Sequence, residues 1–108
     1  MRRMLKASLL VALIGVAGGA LAADPATGRL LASKCQTCHG LDGIAKIPIA
    51  PHLAGESRIY LETQLKAFRS GKREHEMMSV IARDLSDAEI SDLSAWYESI
   101  QITATMPE

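Results

Sequence analysis

The sequence has no excess of charge of one sign, no internal repeat, no low-complexity tract and no sustained alternation of apolar and polar residues. Its 108 residues include twelve basic and twelve acidic side chains. Without a basic excess, the chain lacks the surface that nucleic-acid binding requires. Without alternation, it contains no candidate β-strand. We therefore expect one small domain of all-α class.

The first 22 residues have the features of a secretory signal. Arg2, Arg3 and Lys6 form a basic start, residues 8–16 an apolar middle, and residues 20–22 a small-residue cleavage site. We therefore expect residues 1–22 to be removed and residues 23–108 to form the mature domain, with no membrane span after cleavage. The alternative is a retained anchor, because the apolar run approaches the roughly 20 residues that cross a bilayer. Glycines within the run favour cleavage.

Removal of this segment changes both the charge and the size of the protein. Three basic residues lie within it and no acidic ones, so the mature chain has nine basic and twelve acidic residues and a net charge of −3. The 86 residues that remain are close to the size below which chains are often stabilised by a cofactor, a metal or a disulfide.

Three segments of the mature chain have helical patterns. The first covers about residues 28–34, with Thr27 as candidate N-cap. The second, residues 57–70, begins with a possible serine cap and stops at Gly71. The third starts at Ser86, which forms a Ser-x-x-Glu capping pattern with Glu89. Between the first two, residues 40–55 contain three glycines and two prolines, which predicts a long loop rather than a helix.

The motif Cys35-Gln36-Thr37-Cys38-His39 has the spacing for covalent attachment of c-type haem. On a helical turn, cysteines three residues apart lie on the same side, where both can reach the two vinyl groups along one porphyrin edge. The adjacent histidine then projects under the ring, and its neutral imidazole is a good iron ligand.

Three other readings of the cysteines compete with haem. A disulfide would leave the adjacent histidine unexplained. A thioredoxin-like thiol pair requires a βαβ pattern, which is not seen in this sequence. A structural zinc site needs four ligands, whereas the chain has two cysteines and three histidines in total.

Beyond this motif, the sequence resembles the small bacterial class I cytochromes c. It is similar to the branch of diheme cytochromes of proteobacterial respiratory chains, although it has one haem motif. The resemblance covers nearly all of the mature chain, with Glu56 as a departure from the usual glutamine. The matching segments are residues 35–40, 51–55, 60–61, 64–68 with Gly71, 77–78, and 85–87 with Ile90, Leu93, Ala95 and Trp96.

The resemblance implies a class I cytochrome c fold of about four helices, with long loops around one covalently attached haem c. It implies Met78 as second axial ligand, a Pro51 carbonyl that accepts a hydrogen bond from His39, and a close helix crossing at Gly28 and Trp96. A thioether is a soft ligand that favours reduced iron, which suits one-electron exchange. Met77, His75 or an open iron site remain alternatives, and both methionines could simply fill the core.

The function implied is that of a periplasmic electron carrier, not an enzyme, that meets redox proteins through a transient contact at the haem edge. One alternative is the cytochrome subunit of a periplasmic dehydrogenase, such as a flavoprotein that oxidises sulfide. Another is a haem enzyme or gas sensor with an open iron site. A basic cluster at the end of the second helix either caps it or binds an acidic partner; it comprises Lys66, Arg69, Lys72 and Arg73.

Overall fold

The structure is a computed structural model that describes residues 7–15 and 22–108. The basic start of the predicted signal and most of its cleavage site lie outside the described residues. Within the two described ranges, no helix has the length and apolar character needed to cross a membrane.

Five α-helices and one 3-10 turn form the domain, and the described residues include no strand. The all-α prediction is therefore confirmed. The bounds along the chain are α1 Pro25–Leu31, the 3-10 turn Ala32–Lys34, α2 Gln36–His39, α3 Arg58–Ser70, α4 Met78–Arg83 and α5 Asp87–Ser99.

Both long helices begin where the sequence predicts, and α3 also ends at the predicted glycine. The Ser57 side chain caps α3 by accepting from the Tyr60 N–H at 3.2 Å, and Gly71 ends the helix in the left-handed conformation. In α5, Ser86 and Glu89 form the complete capping box. Both caps satisfy amides that have no partner within the helix, so local sequence fixes these boundaries.

The first helix begins earlier than predicted, and its cap is Asp24 rather than Thr27. Asp24 accepts from the Ala26 N–H at 3.0 Å, while Thr27 Oγ1 donates to the same carboxylate at 2.7 Å. These hydrogen bonds lower the pKa of Asp24, that from Thr27 being the largest cause. Pro25 follows the cap at the first helical position, where its fixed φ suits a helix and its missing N–H is not needed.

Helix α4 was not predicted, because its six residues are too few to show a period. Arg69 joins the linker after α4 to α3: its guanidinium donates to the Leu85 carbonyl at 2.9 Å and to Asp87 Oδ1 at 2.6 Å. The ion pair lowers the pKa of Asp87. Arg73, from the same basic cluster, lies 4.5 Å from the centre of the Phe68 ring. Two of the four cations in the cluster therefore make contacts within the fold.

The core lies where α5 crosses α1 and α3. Its buried members are Ala32, Leu61, Leu85, Ile90, Leu93 and Tyr97. The crossing with α1 is close because Gly28 has no side chain: a β-carbon there would overlap the Asp92 carbonyl and lie 2.9 Å from Trp96 Cβ. The crossing thus lies at the two positions that the resemblance implied.

Gly28→Ala tests this close approach. Because the added methyl group meets backbone rather than a flexible side chain, we expect the free energy of unfolding to fall by about 2 kcal/mol. Leu30→Ala on the same helix is the control, since Leu30 is 77% exposed and its loss should change stability by less than about 0.5 kcal/mol. Denaturant titration of the holoprotein measures both. Equal effects would contradict the close crossing.

Candidate functional site

The short helix α2 places both cysteines and His39 on one turn. Cys35 is its N-cap, and the Cys35 carbonyl accepts from the His39 N–H at 2.9 Å and from the Cys38 N–H at 3.3 Å. Both thiols are free and partly buried. Burial raises the pKa of the Cys35 thiol, and hydrogen bonding with Tyr97 opposes that shift. Before any covalent attachment, Cys35 is therefore held in its neutral form more strongly than an exposed thiol.

His39 is buried, with 7% of its surface exposed, and its ring is fixed by the backbone of the following loop. Nδ1 lies 2.8 Å from the Pro51 carbonyl oxygen. Because a carbonyl oxygen can only accept, Nδ1 carries the proton and Nε2 keeps its lone pair. The imidazole is thus oriented as a neutral ligand that can bind a metal through Nε2.

The loop that supplies Pro51 is closed on itself by backbone hydrogen bonds. The Gly43 carbonyl accepts from the N–H groups of Leu53 and Ala54 at 2.8 and 3.0 Å. His52, a solvent-facing histidine, accepts from the Ala45 N–H at 2.8 Å through Nδ1. These contacts bring Pro51 back to His39, twelve residues earlier in the chain.

Two aromatic side chains of α5 bind the segment that follows His39, and sequence reasoning gave them no such role. Trp96 Nε1 donates to the Leu41 carbonyl at 2.9 Å, and the Tyr97 hydroxyl donates to the Gly40 carbonyl at 3.1 Å. The only sequence signal was an adjacent pair of aromatic residues with polar tips on an apolar helix face. Burial raises the pKa of Tyr97 far above its ordinary value, and the neighbouring Cys35 adds to the shift.

The predicted second ligand lies on a separate element. Met78 is the first residue of α4 and is partly buried, whereas Met77 is 54% exposed. His75 is exposed, and its Nδ1 accepts from the N–H groups of Met77 and Met78 at 3.2 and 3.3 Å. The His75 ring therefore caps the start of α4.

The donor set around α2 fits a covalently attached haem. Two free thiols on one turn match the two thioether bonds, and a buried imidazole beside them has a free Nε2. The zinc alternative receives no support, because residues 7–15 and 22–108 contain no group of three or more histidine, cysteine, aspartate or glutamate side chains suited to a metal ion.

Residues 25–101 match the family model described as cytochrome c. The chain belongs to the cytochrome c family. It is 42% identical over 81 residues to cytochrome c-554(548) of Halomonas halodenitrificans, an alignment that covers 72% of this chain and 98% of that protein. It is also 37% identical over 103 residues to the thiosulfate dehydrogenase electron acceptor of Thiomonas intermedia, covering 94% of this chain and 45% of that one.

Among solved structures, the fold is similar to that of reduced recombinant cytochrome c4 from Pseudomonas stutzeri. The TM-score is 0.69 at 30% identity, over 74% of this chain and 47% of the other. The chain thus spans less than half of this cytochrome c4. The class I cytochrome c fold and the likeness to the cytochrome c4 branch are confirmed, and with them the coarser conclusion that the chain is a haem-binding electron carrier.

The raised pKa of Tyr97 predicts a loss of stability in alkali. An unfolded chain ionises this phenol near pH 10, whereas the folded chain holds the proton to higher pH because burial penalises the phenolate. Above about pH 10 the folded state therefore binds more protons, and the free energy of unfolding falls as the pH rises.

A Tyr60→Phe background leaves Tyr97 as the one tyrosine of the chain. Its tyrosinate absorbance should develop at higher pH in the native holoprotein than in denaturant, with the Tyr60→Phe, Tyr97→Phe double variant as blank. Coincident native and unfolded titrations would show that Tyr97 is not buried in the folded protein.

Proposed function

We propose that the chain is a periplasmic single-electron carrier with one haem c, bonded through thioethers to Cys35 and Cys38. In this proposal His39 and Met78 are the axial iron ligands, and Pro51 orients His39. The observation that carries the proposal is the buried His39 ring beside two free thiols, with Nδ1 bonded to Pro51. Because the chain has two cysteines, it can form one such pair of thioethers.

Each of these residues has a distinct task. The haem supplies reversible one-electron chemistry when bound. Cys35 and Cys38 fix its position on α2, and the His39–Pro51 hydrogen bond fixes the orientation of the proximal imidazole. No substrate needs to bind, so the partners are redox proteins that meet the haem edge through a small, quickly released contact.

Met78 is favoured as the second ligand by its burial and by its neighbours. It is partly buried while Met77 is mostly exposed, and a ligand to iron within the fold must point inward. His75, the other candidate, is exposed and already accepts two backbone hydrogen bonds at the start of α4. A methionine sulfur ligand raises the reduction potential of haem iron.

Met78→Ala and Met77→Ala form a matched pair that tests this ligand. Loss of Met78 should abolish the weak red absorption band of sulfur-bound ferric iron, lower the reduction potential and allow the ferrous protein to bind carbon monoxide. Met77→Ala should leave all three as in the wild type. Survival of the band in Met78→Ala, with its loss in Met77→Ala, would reverse the assignment. Rapid carbon monoxide binding by the wild type would favour the enzyme or gas-sensor alternative.

Release of the domain into the periplasm as a free protein depends on cleavage of residues 1–22, which we propose from their sequence. Mature protein from the host should begin at Ala23 and be released by osmotic shock, and Ala22→Leu should block cleavage because the site requires a small residue. N-terminal sequencing of both proteins measures this. Wild-type protein that begins at Met1 and stays in the membrane fraction would show a retained anchor instead.

A second candidate function is that of a subunit in a periplasmic dehydrogenase. The likeness to a thiosulfate dehydrogenase electron acceptor favours an enzyme of thiosulfate oxidation over the flavoprotein alternative. The two classes differ in a simple observation: a subunit co-elutes with its dehydrogenase during gel filtration, whereas a free carrier elutes alone.

A further inference from the structure

Tyr97 contacts both of the chain segments that the His39–Pro51 hydrogen bond joins. Its hydroxyl donates to the Gly40 carbonyl at 3.1 Å, and its own backbone carbonyl accepts from the Gly55 N–H at 2.9 Å. We propose that Tyr97 is a positioning residue: it fixes the spacing between His39 and Pro51, and thereby sets how strongly His39 donates electron density to iron. This inference rests on the proposed role of His39 as an iron ligand.

On the His39 side, the Tyr97 hydroxyl binds the next residue of the chain, Gly40. Gly40 adopts a φ of 75°, a conformation that residues with a side chain rarely take, and its N–H donates to the Gln36 carbonyl at 3.0 Å. Its carbonyl accepts from both Tyr97 and the Gly43 N–H, the latter at 3.2 Å. Gly40 is therefore held through both its backbone N–H and its backbone carbonyl.

On the Pro51 side, the Tyr97 backbone carbonyl binds the Gly55 N–H, four residues after Pro51. The intervening residues are held to the same loop, because Leu53 and Ala54 donate to the Gly43 carbonyl. The Glu56 N–H also donates to the Leu53 carbonyl, at 3.1 Å. Backbone hydrogen bonds therefore hold the segment that connects Pro51 to Gly55.

Tyr97 is itself held firmly enough to act as a reference point. It is 3% exposed and lies within the core cluster on the thirteen-residue helix α5. Trp96 provides a natural comparison, because its Nε1 binds the Leu41 carbonyl on the same segment. The Trp96 backbone carbonyl instead accepts from Ser99 Oγ at 2.6 Å. Trp96 thus contacts the segment after His39, whereas Tyr97 contacts both that segment and Gly55, at the end of the loop that contains Pro51.

The sign of the effect follows from ligand chemistry. A strong hydrogen bond from Nδ1–H to a carbonyl makes the imidazole more basic, which stabilises ferric over ferrous iron. Loss of the Tyr97 hydroxyl frees Gly40 to move, which loosens the bond between His39 and Pro51. The imidazole then donates less electron density, so the reduction potential rises.

Tyr97→Phe and Trp96→Phe in the holoprotein test this inference. We expect Tyr97→Phe to shift the midpoint potential upward and to speed solvent exchange of the His39 Nδ1 proton, measured by NMR on the ferrous protein. Trp96→Phe should change both much less, because the hydrogen bond that it loses ends at Leu41, one residue further from His39 than Gly40. Should Tyr97→Phe fail to fold, 3-fluorotyrosine in the Tyr60→Phe background keeps the ring and provides a stronger donor. It should move the potential downward.

Equal shifts in the two variants, or an unchanged potential and exchange rate in Tyr97→Phe, would overturn the role of Tyr97. The same spectra separate this failure from failure of the proposed ligation. In the wild-type ferrous protein, the His39 ring protons should be displaced by the haem ring current. If they are not, His39 is not the ligand, whatever the variants show.

Discussion

The hydrogen bond between His39 Nδ1 and the Pro51 carbonyl, 2.8 Å long, is the interaction on which the site depends. It joins the turn that bears both cysteines to the far end of the loop that follows, which a bond from the Lys46 N–H to the Cys38 carbonyl also holds to that turn. It also decides the chemistry of the ring, because a proton fixed on Nδ1 leaves Nε2 free for iron. A chain of this size cannot build a second layer around its site, so one backbone carbonyl serves as the outer partner of the ligand.

Contacts among the helices position the haem-motif turn and the loop that follows it. Helix α1 crosses α5 closely at Gly28, and this crossing places the start of the 3-10 turn, and then Cys35, beside the core. Arg69 holds α3 to the segment between α4 and α5 through the Leu85 carbonyl, and to the start of α5 through Asp87. Helix α5 in turn reaches the loop after His39 through Trp96 and Tyr97. Contacts therefore connect the α1–α5 crossing to the loop after His39, and that loop to His39 itself. A substitution at the crossing can change the position of the His39 ring.

Most features set by neighbouring residues were predicted from the sequence, whereas contacts between distant residues were predicted only where the family resemblance implied them, as at Gly28 and Trp96. The capping box at Ser86 and the glycine stop at Gly71 are local, as is the spacing of the haem motif, and each has a recognisable pattern. The predicted cap of α1 was wrong because two polar side chains three residues apart could each cap the helix, and Asp24 rather than Thr27 does so. The side-chain hydrogen bonds of Trp96 and Tyr97 join residues more than fifty positions apart. No local pattern in a single sequence predicts such a pairing.

The central claim is that residues 35–39 hold a haem covalently, and peptide mapping of the mature protein tests it most directly. Trypsin cleaves after Lys34 and Lys46, which gives a peptide of residues 35–46 with both cysteines and His39. The account predicts that this peptide has the mass of its residues plus one haem, and that neither thiol reacts with an alkylating agent. A haem-free peptide from native-host protein, alkylated on both Cys35 and Cys38, would contradict it.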